Sequence, residues 1–557
     1  MSSLGIVAIC LLTVIGVYFY NNPLKHGPWF LSRRFINWFP LGMTYSFLYM
    51  GRYNLTVAKN ALGSLMNNED FGLIFAAGTG VYAFSFLVNG PLVDKIGGKK
   101  GIIIAAVGAS LANIILGVIT WLVLTGRTAI PLFWPFVVIY ALNMYFQSYG
   151  AVSIIKVKAN WFHVRERGVF GAIFGTLISF GVYFAFDWGP AVVEMTKAKM
   201  AAAPNWLTST LHGLFVAPGQ TTDSTWAVFF LPAAILIAWA LLDWWLIKET
   251  PEDAGFPYLE THDASTGHMN EHYSTLDLLK KVFLSPLMLM LGGVELTAGV
   301  LRNGSMQWYT VFANQVPQPG AEDIIGNWGL LLCMFGIVGG FAGGLISDKF
   351  FQSRRGPPAA LFCAFMLMMA AVMAMTLRSF PFVVGAAALL IVAAVTGVHS
   401  LMSGTAAADF GGRKATATCS GIVDGCVYLG SSVQSICVGY LSGISWTWWP
   451  IFLMPFALAG GIVAWRLWHE LPEATKRYIA QHELPLEFAD GQPATRVAVV
   501  DWGIVSLGAI VGTIVMWGRS PSLGVLPPGL GGNAVGALIG TATGAVLGLL
   551  IGRLRRR

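Results

Sequence analysis

Gly90-Pro91-Leu92-Val93-Asp94-Lys95-Ile96-Gly97-Gly98-Lys99-Lys100 closes one long apolar run, and Gly344-Leu345-Ile346-Ser347-Asp348-Lys349-Phe350-Phe351-Gln352-Ser353-Arg354-Arg355 closes another. In both, a glycine stands four residues before an aspartate and a basic pair follows. The glycine lets two helices approach closely, and an acid at a helix end can hold a neighbouring helix through cations or exposed backbone amides. The two aspartates are 254 residues apart, Arg52 and Arg302 are 250 apart, and Arg167 and Arg413 are 246 apart. Three pairs at nearly one spacing imply two six-helix halves of parallel topology, an arrangement that places a substrate site at the midplane between the halves.

Outward from these loops the chain is a succession of apolar runs. Hydrophobic residues make up 55% of the 557 and charged residues 11%, the balance of a chain solvated by lipid. A helix needs roughly 18 to 25 residues to cross hydrocarbon. The first run, 4–20, lacks the basic start and the cleavage pattern of a signal peptide and reads as a retained helix. Others follow at 35–62, 72–93, 102–125, 131–158, 169–188, 226–247, 284–313, 326–347, 357–376, 380–404, 415–444 and 448–468. Two more, 501–518 and 533–552, bring the total to fifteen.

The predicted fold is therefore an all-α polytopic membrane protein: two six-helix halves with one extra helix before them and two after. Its parts are 1–34 (extra helix and basic loop), 35–248 (first half), 249–283 (inter-half loop), 284–468 (second half), 469–500 (linker) and 501–557 (a two-helix hairpin). If every run spans, Lys25, Arg33, Arg34, Lys95, Lys99, Lys100, Arg165, Arg167, Lys349, Arg354, Arg355, Arg413, Lys414 and the run Arg553 to Arg557 share one side. By the positive-inside rule that side is the cytoplasm, with the N-terminus outside and the C-terminus inside. The net charge of +7 resides in these loops, so it gives no reason to expect nucleic acid as a partner. The six cysteines are scattered through apolar runs without ligand spacing; neither a disulfide nor a metal is expected.

An arginine at the centre of a spanning helix costs roughly 2.5 to 3.5 kcal/mol on insertion scales, so it normally faces the bundle interior and marks a site. Arg52 and Arg302 are such residues, one per half. They can converge on a single anion, and the planar guanidinium fork matches phosphate oxygens. An anion held between them would draw the halves together and let them rock between two open states. Two unneutralised cations facing each other would slow the reorientation of the empty carrier, which makes transport an exchange.

The Asp94 and Asp348 loops resemble the cytoplasmic signature of the major facilitator superfamily. Within it, Tyr45-Ser46-Phe47-Leu48-Tyr49-Met50-Gly51-Arg52-Tyr53-Asn54 and Leu301-Arg302-Asn303-Gly304-Ser305-Met306-Gln307-Trp308 are similar to the first and seventh core helices of the organophosphate:inorganic phosphate antiporter family. Tyr82-Ala83-Phe84-Ser85, Thr250-Pro251-Glu252-Asp253-Ala254-Gly255, Asp409-Phe410-Gly411-Gly412-Arg413-Lys414-Ala415 and Tyr428-Leu429-Gly430 extend the likeness over the whole core. That family includes the glycerol-3-phosphate and hexose-phosphate transporters. The resemblance implies a small phosphorylated anion as cargo, bound by Arg52 and Arg302 with Tyr49 and Tyr82 as hydroxyl donors, and with Tyr45, Tyr428 and Trp308 as further lining. Asp94, Asp348, Arg167 and Arg413 would gate. A bacterial inner membrane would be its location.

Departures from the family pattern point to a less ionic pocket. Asn160 stands where a histidine is usual, Phe86 where the glycerol-3-phosphate type has a lysine, and Gln307 and Cys333 where acids are expected. Asn160 stays a candidate ligand, and Lys156 could restore positive charge to the cavity. Glu295 lies seven residues before Arg302, about two turns and roughly on the same face. With Asp424 and His399 it is a candidate for coupling. Gly532, Gly536, Gly540, Gly544, Gly548 and Gly552 form a ladder that suits a tightly packed hairpin or a homo-oligomer contact. No nucleophile-base pair or phosphate-cradling loop is evident, so neither an enzyme nor a cofactor is expected. Two alternatives to exchange remain at this level: a proton-coupled symporter of a non-phosphate organic anion, and a transporter-like membrane sensor of a phosphorylated ligand.

Overall fold

The computed structural model describes residues 3–20, 22–163, 166–196, 225–259, 284–351, 354–406 and 412–469. The predicted hairpin at 501–557 with its glycine ladder, the linker after residue 469, most of the inter-half loop and Asp409 lie outside the described residues, as do the side chains of Arg167, Asp348 and Arg413.

Every long described element is a helix. The extra helix is α1 (Ser3–Tyr20). The first half holds α2 (Pro28–Leu62), α3 (Asn68–Ile96), α4 (Gly98–Leu124), α5 (Phe133–Trp161), α6 (Arg167–Tyr183) and α8 (Ala227–Leu246). A π-helical turn, Phe184–Trp188, carries α6 into α7 (Gly189–Thr196). The second half holds α9 (Pro286–Met306), α10 (Trp308–Gln315), the short α11 (Glu322–Gly326), α12 (Trp328–Phe350), α13 (Gly356–Thr376), α14 (Pro381–Ala406), α15 (Gly412–Ile444) and α16 (Trp448–Arg466). Two boundaries differ from expectation. The run at 284–313 breaks at Gln307 into α9 and α10, and the run at 169–188 continues through the π-turn to Thr196. Ten described helices are long and apolar enough to cross a membrane. The helices α2, α5 and α9 are not among them, because they carry the polar residues of the site.

The duplication recurs in the packing. In the first half α4 packs on α5 and α8, and α3 on α5; in the second α13 packs on α14 and α16, and α12 on α14. Between halves α3 runs along α15 and α6 along α12. Exchanging the halves converts one of these pairings into the other, as a two-fold axis between them requires. Close approach is built from small residues: a Cβ on Gly299 of α9 would strike the Val427 carbonyl, and one on Gly430 of α15 would strike the Leu296 carbonyl. Helix α1 leans on α6, with Ser3 Oγ donating to Asp187 Oδ2 at 3.2 Å.

The basic loops are organised by acids. Asn67 caps α3 by accepting from Asp70 N at 2.7 Å; Gly97, at φ +91°, ends it and opens α4, a backbone conformation that costs glycine little. The amides of Gly98 and Lys99 then donate to Glu249 Oε1 and Oε2 at 2.8 and 2.9 Å, so the carboxylate sits on the positive end of the helix dipole. Farther along the same face, Arg34 Nη1 and Nη2 donate to Glu166 Oε2 and Oε1, both at 2.9 Å. Burial would raise the Glu166 carboxyl, but the paired Arg34 hydrogen bonds and charge, with His26 Nε2 3.4 Å away, outweigh it and hold the pKa down at about 2.

Candidate functional site

Arg52 is fully buried on α2, and the chain surrounds it with acceptors and π-faces in place of a carboxylate. Its Nε donates to Gln147 Oε1 of α5 at 3.0 Å. Gln147 Nε2 donates in turn to Asn143 Oδ1 at 3.0 Å, and Asn143 Nδ2 to the Gly51 carbonyl at 3.0 Å. Asn113 and Asn54 extend this amide network into α4 and back to α2. The Arg52 guanidinium carbon lies 4.6 Å from the ring centroids of both Tyr49 and Tyr82, and 5.2 Å from that of Tyr428, within the range of cation–π attraction. Its Nη2 is buried with no hydrogen-bond partner among the described residues, and so is the Tyr82 hydroxyl.

The two halves cross at this point. Arg52 Nη1, from the first half, donates to the Tyr428 hydroxyl of the second. Arg302 Nη2, from the second half, donates to the Tyr49 hydroxyl of the first at 3.2 Å. The Arg302 guanidinium carbon is 5.7 Å from the Tyr49 ring centroid, so the two guanidiniums are separated by no more than the sum of their distances to that one ring. Tyr45 packs edge-on against Tyr49, centroids 5.3 Å apart, and Tyr82 lies 4.0 Å from Tyr428. Five of the expected ligands other than Tyr45 thus form one group, Arg52, Arg302, Tyr49, Tyr82 and Tyr428, with Tyr45 at its border.

Three others stand elsewhere. Lys156 lies nine residues beyond Gln147, about 13 Å along α5, where its Nζ meets Asp94 Oδ1 at 3.1 Å; it serves the helix-end contact of the Asp94 loop and not the arginine pair. Asn160 Nδ2 donates to the Glu249 carbonyl at 3.2 Å, again at the basic end. Trp308 is fully buried at the start of α10 against Phe71 and Trp446, six residues past Arg302 toward the opposite face. The coupling candidates do form a cluster: Glu295 is fully buried, its Oε2 lies 3.0 Å from His399 Nδ1, and Ser403 Oγ donates to Asp424 Oδ1 at 3.0 Å. Among the described residues no group of three His, Cys, Asp or Glu is arranged to hold a metal ion.

On the face opposite the basic loops the halves are tied by amides. Asn68 Nδ2 donates to Gln315 Oε1 at 3.0 Å, Gln315 Nε2 returns a bond to Asn68 Oδ1 at 2.7 Å, and Asn68 Nδ2 also reaches Ser442 Oγ at 3.2 Å. Deeper in, Tyr53 donates to Asn303 Oδ1 at 3.2 Å. Two cavities of about 720 and 590 Å³ open on this face, and their linings include neither arginine. Reading the sequence missed Gln147, Glu249 and the Asn68–Gln315 pair. The Asn143–Gln147 spacing of one helical turn inside an apolar run was the one local signal for the first.

A repeated pair of helical halves joined at a buried polar centre defines a membrane carrier. The chain belongs to the Major Facilitator Superfamily, whose pattern matches residues 41–435; its members are transporters and not enzymes. Within the superfamily it is distantly related to organophosphate transporters. It is 24% identical to the membrane sensor protein UhpC of Salmonella typhimurium, over 75% of this chain and 87% of that protein. It is 24% identical to the glycerol-3-phosphate transporter of Bacillus subtilis, over 66% of this chain and 76% of that one. The fold matches that of the superfamily transporter FucP in its outward conformation, with a TM-score of 0.50 at 15% identity, covering 78% of this chain and 99% of the other.

Proposed function

We propose that the protein exchanges a small organophosphate, or a related organic anion, for inorganic phosphate by rocker-switch alternating access. The basic loops would face the cytoplasm of a bacterial inner membrane. The observation that carries this reading is that one arginine from each half reaches the same residue, Tyr49. A phosphate bound there would give an acceptor to Arg52 Nη2, which has no hydrogen-bond partner among the described residues. It then replaces the tyrosine hydroxyls as acceptor, because an anionic oxygen makes a stronger bond to guanidinium than a neutral phenol does. One ligand would thereby join both halves.

The test uses the full chain in proteoliposomes loaded with phosphate. Arg52→Lys and Arg302→Lys keep the charge but lose the fork, and each is expected to lower phosphate and organophosphate exchange about 10- to 100-fold, the worth of one or two charge-assisted bonds. Unchanged exchange in either variant would refute the assignment. Uptake driven by a pH gradient without counter-substrate would replace exchange with proton coupling through Glu295 or Asp424. A second reading, sensing without transport, is favoured by the similarity to UhpC, a membrane sensor by name; binding of phosphate with no counterflow would establish it.

A further inference from the structure

The lining changes character one helical turn from the arginines toward the basic loops. Asp424 is four residues before Tyr428 on α15, so it lies on the same helix face, about 6 Å closer to those loops. Its Oδ1 accepts from Ser403, and no other hydrogen bond reaches its carboxylate among the described residues. Seven residues before Arg302, Glu295 is already matched by His399, whose side chain remains 30% exposed while that of Glu295 is fully buried. From the first half, aromatic rings reach the same level. Tyr45 lies one turn below Tyr49, and Phe86 packs against Gly421 and Gly425 of α15 with its centroid 6.4 Å from Tyr428.

The charges of this centre do not close for a purely anionic cargo. A dianionic phosphate cancels Arg52 and Arg302, and His399, when protonated, supplies one positive charge beside the two carboxylates of Glu295 and Asp424; one negative charge is then left uncompensated among the described residues. Leaving a buried charge in that condition is costly. A carboxylate one turn along its helix from Tyr428, on a helix that packs against Phe86 through Gly421 and Gly425, is a setting for an ammonium group, drawn by charge and cation–π attraction together. The second, independent pointer to a ligand is Arg52 Nη2, fully buried and without a hydrogen-bond partner among the described residues, at the other end of the same group of side chains.

We infer that the site is bipolar and that its cargo is zwitterionic: a short aminoalkyl phosphate or phosphonate, with its phosphoryl group on Arg52 and Arg302 and its ammonium group beside Asp424. The inference rests on the reading of the arginine pair as the phosphoryl site. It adds a specificity residue, Asp424, and a substrate class that bare phosphate recognition does not select.

The experiment is competition against labelled phosphate uptake by the full chain in phosphate-loaded proteoliposomes. The competitors are aminoethyl phosphate and hydroxyethyl phosphate, which differ only in the terminal group. The amine is expected to compete about tenfold better, the size of one partly hydrated cation contact. In Asp424→Asn the ratio should fall to near one, and in Asp424→Glu it should persist; because the readout is a ratio within each variant, a lowered overall rate does not obscure it. Equal competition by the two compounds in the wild type overturns the proposal, as does a preference that survives in Asp424→Asn. A hydroxyethyl phosphate affinity that rises to equal that of the amine as pH falls would show that a proton fills the place assigned to the ammonium. If labelled phosphate is not exchanged at all, the arginine reading fails together with this one; if it is exchanged with no amine preference, only this one does.

Discussion

Removing the amide pair between Asn68 and Gln315 should open the face that it closes. Each member donates to and accepts from the other, at 3.0 and 2.7 Å; Gln315 is exposed and Asn68 half-buried, so neither is left fully buried and unsatisfied when its partner is cut back. Net worth in such a setting is at the low end of roughly 0.5 to 1.5 kcal/mol per bond. The pair therefore contributes about 1 to 2 kcal/mol to the closed state, or about a 5- to 30-fold change in the closed-to-open ratio. Ser435→Cys is a suitable reporter: it is nearly isosteric, fully buried, and two turns deeper on α15 than Ser442. Its modification by a membrane-impermeant maleimide, followed peptide by peptide by mass spectrometry, should accelerate by that factor in Gln315→Ala. Asn68→Ala should accelerate it somewhat more, since Asn68 also reaches Ser442. Because the two residues act on each other, the double variant should exceed Asn68→Ala only slightly. Unchanged labelling, or effects that simply add, would show that the pair is a surface contact without a hold on the halves.

Two further predictions concern the basic face. Glu249→Ala strips the acceptors from the Gly98 and Lys99 amides and should cost about 2 kcal/mol, visible as a lowered melting temperature in detergent; co-melting with wild type would refute the capping role. The Arg34–Glu166 pair should show a pH signature. The Glu166 carboxyl is held below its ordinary value of 4.5, at about 2, so its contribution is complete above about pH 4.5 and fades as pH falls toward 2. The difference in melting temperature between wild type and Glu166→Gln should accordingly be constant from neutrality down to about pH 5 and narrow below it, whereas a gap that widens on acidification would contradict the assignment.

What could be foreseen was what repetition and cost make visible. The spacing of Arg52 and Arg302, of Asp94 and Asp348, and the lengths of the apolar runs led to two equivalent halves, because a membrane permits few ways to place a charge or end a helix. Side-chain destinations were less legible. Lys156 and Asn160 share α5 with Gln147, and one dimension of sequence does not reveal that Asp94 and Glu249, from α3 and the segment after α8, take them at the basic end. Gln147 escaped notice for the converse reason. A neutral amide in an apolar helix costs little enough to pass as packing, yet it is the hydrogen-bond acceptor that Arg52 Nε finds. The break at Gln307 was hidden because no proline stands near it to mark the end of a helix.

The expectation that two bare cations repel across the empty site needs revision in light of what surrounds them. Arg52 is held by Gln147, three aromatic faces and the Tyr428 hydroxyl; Arg302 is held by the Tyr49 hydroxyl and ring. Each cross-half bond joins an arginine of one half to a tyrosine of the other, so the empty carrier is fastened at its centre and not pushed apart there. Rocking requires those bonds to shift, and without cargo their loss leaves guanidiniums short of acceptors in a poorly hydrated space. A phosphoryl group supplies several acceptor oxygens that can hold both arginines as the surrounding hydroxyls move. On the exchange proposed above, the loaded centre would rearrange while staying satisfied and the empty one would not, which would favour exchange over net transport.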